Sequence, residues 1–85
     1  MLMDNDIIKN LILEYLIEKG GKLGLTADPE EIKKWYSKKN GDIEDVVIKK
    51  VLDELVKEKI LDVNEDTYVI SQPGEDFIKN LNENI

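Results

Sequence analysis

Apolar residues recur at helical spacing in four stretches of this chain and alternate with polar ones in two. In the first stretch, Ile7, Ile8, Leu11, Ile12, Tyr15 and Leu16 sweep one broad side when successive residues turn by about 100°. A helix is expected from near Asp4 to Lys19, where Gly20 and Gly21 stop it. Leu13 and Ile17 fall on the opposite side of that helix, and a surface helix should not be apolar on both. This second stripe needs cover. Either the C-terminal helix of the same chain supplies it, or Leu13 and Ile17 form an oligomer interface, most simply a homodimer through the same helix of a second copy.

After a glycine-rich connector in which Lys22 to Leu25 could add a short strand, a second helix is announced by Asp28 as N-cap, Pro29 at the first helical position and Glu31 three residues past the cap. Ile32, Trp35 and Tyr36 form its buried stripe. Asn40 and Gly41 suit a left-handed exit, and Asp42 can cap a third helix after a sharp turn. There Val47, Ile48, Val51, Leu52, Leu55 and Val56 share the buried side, leaving Val46, Lys49, Lys50, Asp53, Glu54 and Lys57 outside. The period then changes to two. Leu61 and Val63, then Tyr68 and Ile70, alternate with polar neighbours, as half-buried strands do, around a turn at Asn64, Glu65 and Asp66. Ser71 can cap a last helix through Gln72, Pro73 and Gly74, with Phe77, Ile78 and Leu81 packing inward. Residues 1–85 thus read as one mainly helical α+β domain with a small hairpin and no internal repeat.

The stretch LDELVKEKILDVNEDTYVISQPGEDFIKNL resembles the second half of winged-helix domains in small prokaryotic, especially archaeal, transcriptional regulators. The matching positions are Leu52, Leu55, Ile60, Leu61, Tyr68, Ile70, Ser71 and Gly74, and the resemblance extends from about Asp4 to Leu81. It implies a winged helix-turn-helix of three core helices, a hairpin wing and a C-terminal helix. It further implies DNA binding, transcription regulation and dimerisation through terminal helices. These are packing motifs shared by many unrelated domains, so function must be argued from the surface.

Charge complicates that implication. The chain carries 12 basic and 19 acidic residues, net −7, and every basic residue is lysine. Duplex recognition leans on cationic contacts to phosphate and on bidentate arginine to guanine. The hairpin DVNEDT is acidic, where the DNA-binding winged helices that the chain resembles usually carry Arg or Lys. The one basic cluster is KKWYSKK, with Lys33, Lys34, Lys38 and Lys39 around Trp35 and Tyr36. Lysines interleaved with aromatics form a nucleic-acid pattern, which Lys49 and Lys50 could extend; a solvated helix flanking a core Trp and Tyr is the plainer reading.

Other chemistry has little to stand on. With no cysteine and no histidine, disulfides, thiolate nucleophiles, imidazole bases and the usual zinc sets are excluded. Asp62, Asn64 and Asp66 mimic the start of a calcium loop, but Thr67 replaces its glycine and Pro73 stands where the bidentate Glu belongs. The acid pairs Glu30 with Glu31, Glu44 with Asp45 and Asp53 with Glu54 are helix neighbours that diverge. No enzyme and no cofactor is expected. The acidic start MLMDNDIIKN does not read as a signal peptide, and no apolar run reaches the length of about 20 residues that a membrane span requires, so a cytoplasmic location is expected. Two functions follow: first, favoured by the resemblance, a weak, lysine-based duplex-DNA binder using Lys33, Lys34, Lys38, Lys39, Lys49 and Lys50; alternatively, favoured by the charge, an acidic winged helix that contacts a protein partner through its wing and the Leu13/Ile17 stripe.

Overall fold

The computed structural model describes residues 5–83, which form four helices and one antiparallel hairpin. In chain order these are α1 (Asn5–Glu18), α2 (Pro29–Asn40), α3 (Asp45–Lys57), β1 (Leu61–Asn64), β2 (Thr67–Ile70) and α4 (Gln72–Glu83). The expected helix start at Asp4 lies outside the described residues. None of the described helices is long and apolar enough to cross a membrane.

Most boundaries have a local cause. Gly20 and Gly21, at φ 107° and 58°, end α1. The Asp28 side chain accepts the Glu30 amide at 3.1 Å and opens α2, and the Gly41 amide closes it onto the Ser37 carbonyl. The next boundary differs from expectation. Asp42 does not cap α3; the N-cap is Glu44, which makes no side-chain cap bond. Ile43 is buried between them, so core packing sets where the third helix begins. Glu65 and Asp66, at φ 49° and 64°, are the two residues between the paired ends Asn64 and Thr67, the geometry of a tight hairpin turn whose twist suits the strands.

The connector before α2 joins this sheet, slightly later in the chain than Lys22 to Leu25. Gly24 N donates to Ile70 O, Ile70 N to Leu25 O and Ala27 N to Tyr68 O, and Thr26 bridges to Val69. β2 is therefore flanked on both sides, by β1 and by this extended segment.

The core lies where α1, α2 and α3 meet under the base of the hairpin. Ile8, Ile12, Leu16, Ile32, Ile48, Leu52, Leu55, Leu61 and Ile70 are fully buried there. Ser71 seats α4 on this core: its hydroxyl accepts the Gly74 amide at 3.0 Å and lies within hydrogen-bond reach of the Lys59 and Ile60 carbonyls.

Several inward assignments fail. Ile7 is 50% exposed, Val63 57% and Phe77 40%. Ile7 sits at the margin of the buried arc of α1, and Val63 lies on the part of the hairpin that projects past the core. The largest change concerns Leu13. It is 5% exposed and belongs to the same core cluster as Ile78, while Ile17 is partly buried and shares a groove with Ile78. α4 packs on α1, so the second stripe of α1 is covered within one chain. Leu13 is not available as an oligomer interface.

Candidate interaction surfaces

Two surfaces concentrate the polar side chains. The first is the outer side of α3 with the hairpin beside it. Val46, Lys49, Lys50, Asp53, Glu54 and Lys57 line a shallow groove, and Val46 is 66% exposed. The helix puts them there because its 3.6-residue period commits Ile48, Val51, Leu52 and Leu55 to the core. A hydrogen bond of 2.6 Å from the Tyr68 hydroxyl to Asp53 Oδ1 ties hairpin to helix. That bond, helped by partial burial and by the negative charge of Asp53, pushes the phenol up to about 12. Sequence patterning marked Tyr68 as a half-buried strand residue; nothing in the spacing could pair it with a residue 15 positions upstream.

Charge on this surface is mostly negative. Glu44, Asp45, Asp53, Glu54, Asp62, Glu65 and Asp66 belong to α3, its N-cap and the hairpin, against Lys49, Lys50 and Lys57. Asp45 is held by Lys33 across the α2–α3 turn at 3.1 Å. Among the described residues, no three acidic side chains converge as a metal site, Asp62 and Asp66 included.

The second surface is a cleft of about 520 Å3 between α1 and α2. Lys19, Lys33, Lys34 and Lys38 line it with Glu31 and Ser37, and its aromatic floor is Tyr15 and Trp35. The two rings meet edge to face, with centroids 5.4 Å apart. Trp35 is only partly buried, while Tyr15 and Tyr36 are fully so. Burial, with Glu31 and Asp28 nearby, raises the Tyr15 phenol above its ordinary value. Lys19 lies 5.6 Å from the Tyr15 ring centre. Lys39 lies 4.8 Å from that of Trp35 and pairs with Glu18 at 3.6 Å.

The six lysines singled out in the sequence are thus divided. Lys33, Lys34 and Lys38 line the α1–α2 cleft, Lys39 covers Trp35, and Lys49 and Lys50 line the α3 groove. Lys19 was missed because it closes a different helix and only the tertiary fold brings it to KKWYSKK. No protein-family profile, curated protein or solved structure matches the chain.

Proposed function

We propose that this chain is a winged helix-turn-helix module that works by contacting a protein through the outer side of α3 and the hairpin wing. The order of helices and strands, the short α2–α3 turn and the extended segment flanking β2 support the winged-helix reading. The observation that carries the function is the charge of the surface that would face a duplex. Seven acids stand there against three lysines, and Lys49 and Lys50 share their groove with Asp53 and Glu54. A phosphate backbone gains affinity by exchanging counterions for protein cations, so this surface repels it. A basic protein surface is complementary to it, with Val46 and Val63 as exposed apolar contacts. The reading assigns no catalytic residue and no cofactor.

Duplex-DNA binding is the second reading. What favours it is that Lys34, Lys38, Lys49 and Lys50 are exposed and enter no ion pair among the described residues. A mobility-shift titration on duplex DNA at low salt separates the two. The expected result is no shift. A shift that disappears when Lys34, Lys38 and Lys50 are replaced together by Ala would overturn the protein-contact reading and assign a transcription-regulator type of function.

A further inference from the structure

We propose that the cleft between α1 and α2 receives the acidic wing tip of a second copy of this chain. The proposal rests on the reading of the wing as a protein-contact surface and names one partner for it. Lys33 is paired with Asp45 of α3, but Lys19, Lys34 and Lys38, which enter no ion pair among the described residues, still outnumber Glu31 and leave the cleft positive on a chain whose net charge is −7. Its floor does not offer a stacking platform for nucleobases. Tyr15 is 4% exposed, the edge of one ring packs on the other, and an ammonium already lies over Trp35. Compact ammonium groups around a partly exposed apolar floor suit carboxylates that flank an aliphatic side chain.

The chain carries that ligand itself. In the wing, Asp62, Val63, Asn64, Glu65 and Asp66 are all exposed, and Val63 stands between the acids. A copy's own wing cannot enter its own cleft. The wing is anchored to α3 by the Tyr68–Asp53 bond, and β2 is held to the segment before α2 by main-chain bonds, whereas the cleft opens between α1 and α2. The contact is therefore heterologous: each copy presents a wing and a cleft, and assemblies grow head to tail with concentration. Salt weakens it, because the screening length falls to about 10 Å at 0.1 M.

Sedimentation of the full chain from micromolar to millimolar concentration, at low and high salt, tests this. The unaltered chain should associate at low salt and dissociate at high salt. A cleft variant, Lys34→Glu with Lys38→Glu, and a wing variant, Asp62→Lys with Glu65→Lys, should each sediment as folded monomers, folding being checked by circular dichroism. Mixed together, the two should associate again, since the reversed wing of one matches the reversed cleft of the other. A monomer at every concentration, association that either variant leaves unchanged, or a mixture that stays monomeric overturns the proposal. None of these outcomes touches the protein-contact reading of α3 and the wing, which a DNA mobility shift decides separately.

Discussion

At the scale of single residues, the contacts that matter most are those helical and strand periodicity do not encode. Gly74 is one. A Cβ at this position would lie 1.9 Å from the Ile60 carbonyl oxygen, a main-chain atom that cannot rotate away. The first turn of α4 therefore rests directly on the α3–β1 corner, and only glycine permits it. Gly74→Ala should lower the urea midpoint by the equivalent of about 3 kcal/mol or more. Gly24→Ala, in open space at φ 85°, should cost only about 1 kcal/mol of backbone strain. Equal midpoints for the two variants would refute the close approach. Tyr68 is another such residue. Its folded ionisation is raised to about 12, above the ordinary value near 10, because the neutral phenol donates to Asp53. The stabilisation is complete below pH 10 and is lost as pH rises towards about 12. Discounted for partial exposure it amounts to about 1 kcal/mol. Absorbance titration should find a tyrosine ionising only towards pH about 12, and Asp53→Ala, which removes both the acceptor and the charge, should bring that transition down; an unchanged transition removes the bond from the account.

At the scale of elements, the helices follow their apolar periods, but the partner of each apolar side is a tertiary matter. The wheel of α1 places Leu13 and Ile17 opposite the main stripe, and an isolated helix would need a partner there. α4 is that partner, and the surplus stripe becomes core. Leu13→Glu would therefore place a charge in the core and not on the surface. It should bury a carboxylate without a partner and destabilise the domain by more than about 4 kcal/mol. Circular dichroism melting checks this: a cooperative transition at the unaltered temperature would return Leu13 to the surface. The start of α3 teaches a similar lesson. Asp42 has the right chemistry for an N-cap, but Ile43 gains more by burial than the cap bond contributes, and the helix begins after it.

At the scale of the whole molecule, the balance of 12 lysines against 19 acids is spread unevenly, and that distribution carries the functional reading. The acids dominate α3 and the hairpin, while four lysines gather in the α1–α2 cleft. Composition alone established the net charge, the missing arginine, histidine and cysteine, and the chemistry they exclude. Local patterning established the helices, the hairpin with its turn, and the caps at Asp28 and Ser71, because those depend on neighbours a few positions apart. Tertiary structure decided which apolar residues stay in water, as Ile7, Val63 and Phe77 do, and that Leu13 does not. It also decided that Lys19 joins Lys33, Lys34 and Lys38 around Tyr15 and Trp35, that Lys49 and Lys50 lie in a different groove, and that Tyr68 reaches Asp53. The physical reason is range. Hydrogen-bonded periodicity acts over one or two turns and is written in the local sequence, whereas burial and charge clustering depend on which distant segments the packed core brings side by side.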